Sequence, residues 1–488
     1  MTEKNYLASR ALEDLANFYN YNQKSFQRFE KTAGIDIWFL NHFRLYFIYR
    51  NKFYEIENDI FSKSIGRSLF TLSLGFIKEL SQVVTGYIKP KRHNLRAVII
   101  SNARDVVQGV NVRFNGIEYP QLYNRPFFDL KNDGIPNVDK RTYLFNSDSI
   151  ILNYILTGRI LPDTLNFFRS FSKLKDQLDI PRGNERLKDL KILLAANKGY
   201  YFLMFLKFRA FQLFFQRNDI DKILLSDENS PQQRVIQCAA LSCGTEVLAF
   251  QHGNIHDFHP AYIYGSYVRQ PVLPTFTFTW GSYFTSLLVS SGGYSQESVI
   301  TLGRLLPAVA TTINTELEGL NGFLLFATQP QRDRSLRYNT IRDVMSVLKK
   351  VQIDKKLVIR PHPKEKDDTL YYRASLETGY TDFIIDRITD LQSHFELCDT
   401  LIVSFSTVGT EFISHFKPMI VFDYNKQDLM GWIKNQVGIP VYEKEDFQRI
   451  LLDSPNSIDK LAYEKFIQKY YLTGDSTIDK LNQIIHAT

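Results

Sequence analysis

Three cysteines in 488 residues, at positions 238, 243 and 398, are too few for a disulfide framework. Cys238 and Cys243 lie five apart in a helix-like apolar stretch without a nearby histidine pair, which favours buried thiols over a metal site. A reducing cytoplasm is the expected compartment. The opening MTEKNYLASRALEDL is polar and acidic where a secretory signal is basic and then apolar. No zinc-finger spacing, aromatic RNA-binding motif or dense Lys/Arg block occurs, so no nucleic-acid partner is expected. No G-x-G-x-x-G follows a strand and no G-x-x-x-x-G-K-[ST] exists, which removes the main support for dehydrogenase and P-loop chemistry. The triplet Asp219-Ile220-Asp221 precedes a strand rather than following one, a poor placement for holding a metal–nucleotide complex. We therefore expect a metal-independent mechanism with no resident cofactor.

Long apolar runs are also missing. Ile65 to Ile88 comes nearest, but Lys78 and Glu79 stand in its middle. It reads as an amphipathic helix, packed on the N-terminal domain or lying on anionic lipid. The aromatics and arginines of Trp38 to Phe53 suit a core edge or a headgroup layer equally. What the chain has in plenty is Phe and Tyr, 38 and 27 of them, which points to aromatic-rich cores. A net charge of +7, spread along the chain, fits anionic partners.

The length calls for two domains. Strand-like runs at Leu95–Ser101, Lys222–Leu225 and Glu246–Phe250 alternate with helical patterns such as Leu190–Gln216. After a break near Gly303–Leu320 a second alternation begins. Strands are expected at Gly322–Thr328, Lys356–Arg360, Phe383–Ile385, Thr400–Val403 and Pro418–Phe422, with helices over Ser335–Lys350, Asp390–Glu396 and Val408–His415. Strands alternating with helices imply parallel sheets covered on both faces. The expected organisation is a helical N-terminal extension over 1–94, a Rossmann-like acceptor domain over 95–305 and a Rossmann-like donor domain over 306–445. Helices over 446–488 would pack back on the first domain. Two such sheets would face a cleft with their carboxyl ends.

Four strand ends carry the candidate chemistry. In Arg360-Pro361-His362-Pro363-Lys364 the prolines stop the strand, and Arg360, His362 and Lys364 are left to meet a phosphate. A histidine that caps a turn would read the same way. In Ser404-Phe405-Ser406-Thr407-Val408-Gly409-Thr410-Glu411, three hydroxyls precede a helix start, where free N–H groups favour an anion. A plain Ser/Thr cap with Glu411 completing a capping box is the simpler alternative; Glu411 accepting from a ribose hydroxyl is the functional one. Gln251-His252-Gly253-Asn254 runs from a strand into a glycine turn that a substrate can approach, and His256, Asp257 and His259 follow it. Asp227 and Glu228 end another strand, as a base would, or cap the helix starting near Pro231.

The RPHP turn, the Ser-x-Ser-Thr turn and QHG resemble bacterial surface-polysaccharide glycosyltransferases of the GT-B architecture over Leu95–Tyr424. That group includes capsule Kdo transferases, sialyltransferases and polysialyltransferases, and more distantly the teichoic-acid polyol-phosphate transferases. The resemblance implies two Rossmann-like domains facing a cleft, and an inverting transfer of a CMP-activated acidic sugar to a growing glycan or glycolipid. It implies donor binding by Arg360, His362, Pro363, Lys364, Ser404, Ser406, Thr407 and Glu411, with acceptor binding by Gln251, Gly253 and Asn254. An N-domain acid would be the base: Glu228 first, then Asp227, with His252 assisting. The paired-acid-glycine motif of the sialyltransferases is not matched, since Asn132 stands first in Asn132-Asp133-Gly134. A nucleotide-sugar partner, a cytoplasmic location and peripheral contact with the inner membrane or a capsule-synthesis complex are implied as well. A polyol- or sugar-phosphate transferase, a nucleotide-sugar epimerase and a non-catalytic capsule-assembly component stay open.

Overall fold

The computed structural model describes residues 3–53, 97–100, 121–123, 145–180, 186–218, 220–225, 228–257, 259–269, 271–304, 312–320, 322–329, 334–363, 365, 367–453, 458–472, 480–481 and 483–484. The expected amphipathic helix over Ile65–Ile88, the triplet Asn132-Asp133-Gly134, and Asp219, Asp227 and Lys364 lie outside them. The chain divides into two compact units. One comprises residues 1–279, 284–307 and 474–488, the other 280–283 and 308–473.

The first unit opens with α1 (Glu3–Tyr21), α2 (Gln23–Ala33) and α3 (Ile37–Phe53). Strands β1 (Ala97–Ile100), β2 (Gln121–Tyr123) and β3 (Phe145–Asn146) follow, then α4 (Ser147–Leu156), α5 (Ile160–Gln177), α6 (Arg186–Ala196) and α7 (Lys198–Asn218). β4 (Lys222–Leu225), α8 (Pro231–Leu241), β5 (Glu246–Phe250), β6 (Phe276–Thr279), α9 (Ser282–Ser291, whose first two residues group with the second unit) and β7 (Val299–Thr301) complete the alternation. All seven strands are parallel, in the order β3-β2-β1-β4-β5-β6-β7. The wholly buried KILL of β4 shows why no in-out alternation marks these strands: both faces are covered.

The helical opening is part of this unit's core. Phe18, Tyr19, Trp38 and Tyr49 join one apolar cluster with Phe167, Phe205 and Val247. Trp38 Nε1 donates to the Tyr267 hydroxyl at 3.1 Å, so even the polar edge of its ring is satisfied inside. The pattern expected as one helix over Leu190–Gln216 is two, because the chain turns at Asn197, whose side-chain amide donates to the Leu193 carbonyl at 2.8 Å. Farther on, Leu481 is buried against Leu248, Phe250 and Phe278 of the same sheet.

The second unit runs β8 (Leu324–Ala327), α10 (Arg334–Val351), β9 (Leu357–Arg360), α11 (Thr369–Thr378), β10 (Phe383–Ile385), α12 (Leu391–Leu397) and β11 (Thr400–Val403). It continues through α13 (Thr407–Phe412), a 3-10 turn (Ile413–His415), β12 (Met419–Phe422), β13 (Ile439–Val441), α14 (Lys444–Asp453) and α15 (Lys460–Tyr470). Its six parallel strands lie in the order β10-β9-β8-β11-β12-β13. Counted from the first strand of each sheet, both units follow the doubly wound order 3-2-1-4-5-6, which a seventh strand extends in the first, so both are Rossmann-like. Each has a switch point where the order reverses, between β1 and β4 in one unit and between β8 and β11 in the other.

Candidate functional site

At the second unit's switch point the carboxyl ends of β8, β9 and β11 bring together Thr328, Gln329, His362, Ser404 and Ser406. The turn bearing His362 is held by residues that no motif announced. The His362 N–H donates to Glu365 Oε2 at 3.0 Å and lies 3.2 Å from Thr328 Oγ1, while the Glu365 N–H returns to the His362 carbonyl at 2.7 Å. Glu365 is buried; its Oε2 also accepts from the hydroxyls of Thr328 and Tyr371, and its Oε1 pairs with Arg337 Nε at 3.0 Å. A buried carboxylate with this many donors fixes the backbone of the HP turn and leaves the half-buried imidazole at its rim. Pro363 is exposed just beyond.

Arg360 stands behind that turn. Its Nη1 donates to the Thr389 carbonyl at 2.5 Å and to His394 Nδ1 at 2.7 Å. A guanidinium cannot accept, so Nδ1 is the acceptor and the proton of His394 sits on Nε2, which donates to Asp386 Oδ2 at 3.0 Å. Asp386 is buried, and burial alone would raise its pKa. Hydrogen bonds from His394, Thr389 and the Ile388 N–H outweigh that and hold it well below the usual carboxylate range. Burial pushes His394 the other way from charging, so it stays neutral. The chain Arg360–His394–Asp386 thus fixes the guanidinium.

On β11's side, Phe405 N–H donates to Gln329 Oε1 at 3.3 Å, and Ser406 caps α13 through its hydroxyl and the Val408 N–H at 3.4 Å. The capping box considered for Glu411 does not form, because Gly409 occupies the position three residues past the cap. Glu411 is buried on the helix instead. Gly409 has its own reason to be glycine: an added Cβ would stand 2.5 Å from Trp432 Cη2. The Trp432 indole N–H donates to Thr410 Oγ1 at 3.2 Å. Ser406 serves the cap, while Ser404 and Thr407 flank it half-buried.

In the first unit, Glu228 follows β4 and is enclosed, accepting from the Tyr294 hydroxyl at 2.9 Å and the Thr277 hydroxyl at 3.2 Å. Gln251 is buried too, and its amide closes the glycine turn on the Gly253 carbonyl at 2.8 Å. His252, between them, is exposed; Asn254 is half-buried. This loop is fastened to α3. His42 Nδ1 donates to the Pro260 carbonyl at 3.1 Å, and burial lowers His42 to about 3. Arg234, buried, reaches the Phe39 carbonyl at 3.2 Å, Asn229 Oδ1 at 3.1 Å and the Tyr264 hydroxyl. Among the described residues no cluster of His, Cys, Asp and Glu has the geometry of a metal site. None of the described helices is long and apolar enough to cross a membrane.

No protein-family model and no curated protein matches this chain in sequence. Solved structures match it in shape. A Listeria monocytogenes structure assigned to UDP-N-acetylglucosamine 2-epimerase is 10% identical with a TM-score of 0.51, over 80% of this chain and 97% of its own. S. aureus MnaA with UDP gives 12% and 0.48, over 80% and 96%. The wall teichoic acid polymerase TagF gives 12% and 0.46, over 86% and 98%. At 10% identity the Listeria structure shares a fold with this chain. That likeness and the two doubly wound parallel sheets define a GT-B-type α/β protein with a helical N-terminal region.

Proposed function

We propose that the chain is an inverting, metal-independent glycosyltransferase that carries a sugar from a nucleotide donor to a growing surface glycan, with a CMP-activated acidic sugar as donor. What supports this reading is one juxtaposition. A histidine turn and a run of hydroxyls meet at the switch point of the second sheet, where doubly wound sheets bind their ligands. As the bond from the anomeric carbon to the phosphate oxygen breaks, its electron pair stays on the departing nucleotide. His362, Ser404 and Thr407 meet that charge with donors fixed beforehand, and Arg360 adds positive charge behind the turn. The acceptor hydroxyl bonds to the anomeric carbon from the opposite face, and a base must take its proton.

For that base, exposure favours His252 over Glu228, the first choice from sequence. Glu228 already accepts two hydroxyls out of solvent, whereas His252 is exposed on its glycine turn. In this proposal His252 takes the proton and Glu228 orients the strand end. The purified protein, given a CMP-activated acidic sugar, should release CMP only when a glycan acceptor is present. His252→Ala should cut that release about 100-fold, and Glu228→Gln by clearly less. Equal losses in the two variants would return the base to Glu228. Epimerisation of a nucleotide-sugar without acceptor would replace the proposal with the second reading, a nucleotide-sugar epimerase, which the shared fold with the Listeria structure favours.

A further inference from the structure

The second unit holds a concavity of about 600 Å3 between the turn 431–437 and α15, whose lining includes Ser282, Lys434, Asn435, Lys465, Gln468 and Lys469. Its walls are rigid. Asp428 accepts the N–H groups of Ile433 and Lys434 at 3.1 and 2.9 Å, Gly431 turns the chain with φ +69°, and Trp432 is buried beneath. On the facing side α15 buries Tyr463, Phe466 and Tyr470. The backbone of Gly281 presses so close to α15 that a Cβ there would stand 2.3 Å from the Lys469 carbonyl.

Three ammonium groups are therefore carried by fixed backbone around one void. Among the described residues none of them is paired with a carboxylate. Lys469 instead lies over the rings of Tyr283 and Tyr470, 5.7 and 5.4 Å from their centroids. Asp459, the one acid in the lining, caps α15 by accepting the Ala462 N–H at 3.1 Å. One exposed lysine is ordinary surface. Three in a walled concavity with one committed carboxylate repel one another and focus positive potential where a ligand would sit.

We propose that this cavity binds a ligand bearing two or more neighbouring phosphate charges. The lysines would act as point charges, and the amide of Gln468 with the Ser282 hydroxyl would complete the shell, while Asn435 holds the wall by donating to the Gly431 carbonyl at 2.6 Å. A soluble diphosphate and adjacent headgroups on an anionic phospholipid surface share this chemistry. The test titrates the full-length protein with inorganic pyrophosphate at low salt, by calorimetry and by melting temperature. Binding should weaken about tenfold or more in the K434Q/K465Q/K469Q variant and be kept by the triple Lys→Arg variant. It should persist in His362→Ala and fade as salt rises. Co-sedimentation with phosphatidylglycerol vesicles, reduced by both the triple Gln variant and added pyrophosphate, would assign the headgroup. Pyrophosphate binding without vesicle binding would assign the soluble ligand. An absent pyrophosphate response, or one equally strong in the triple Gln variant, overturns the proposal.

Discussion

Glu365 governs how His362 is presented. It sits three residues after the histidine, accepts its N–H at 3.0 Å and is itself clamped by Arg337. Glu365→Ala leaves Arg337 without its partner, and the loss should be about 3 kcal/mol in denaturant unfolding. Glu365→Gln keeps the shape and should lose less, while both weaken nucleotide binding. Undiminished binding in a folded Glu365→Ala protein would show that the turn holds itself. The Arg360–His394–Asp386 chain makes a second residue-scale claim. Both acids of this chain bind their protons more weakly folded than unfolded: His394 because burial disfavours its charge, Asp386 because hydrogen bonds to its carboxylate overcome burial. The unfolded chain then holds more protons, so stability falls as pH falls, first below the ordinary histidine value of about 6.5 and again below about 4. Unfolding curves between pH 7 and pH 3 should show this decline, and Asp386→Asn should flatten its lower part. A variant as acid-sensitive as the parent would contradict it.

At the scale of elements, α13 begins where it does because Ser406 caps it, and it packs where it does because Gly409 lets Trp432 in. Gly409→Ala should destabilise the protein by about 1–3 kcal/mol, since the rigid indole rather than a flexible chain end must move. An unchanged melting temperature would contradict that packing. Apolar runs that stop in polar turns were readable in the sequence: LVIR before His362 and TLIV before Ser404 are strands. β6, written FTFT, was not, because alternating Phe and Thr disguise a strand covered on both faces, whose threonines find partners inside. The polar turns that follow β9 and β11 could likewise be named from the chain alone. Glu365, His394 and Asp386 could not: each is an ordinary polar residue until the order β10-β9-β8-β11 brings its strand end beside another. The one available hint was an acid inside the same tight turn as His362.

At the scale of the whole molecule, the aromatic surplus has found its use. α1–α3 are core, and α3 holds the QHG loop through His42 and through the Phe39 carbonyl that Arg234 binds. The helical opening is thus a support for the loop that bears His252. Each unit carries its candidate groups at the carboxyl ends of a doubly wound sheet, and in the proposal the second of these binds a nucleotide phosphate. Calorimetric titration with CMP, and with UDP and GDP in parallel, tests it most directly on the parent protein and on His362→Ala. CMP should bind the parent, with affinity falling about tenfold or more when the charge-assisted contact of His362 is removed. A clear preference for UDP or GDP would contradict the CMP donor, and equal CMP affinity in the two proteins would contradict the site.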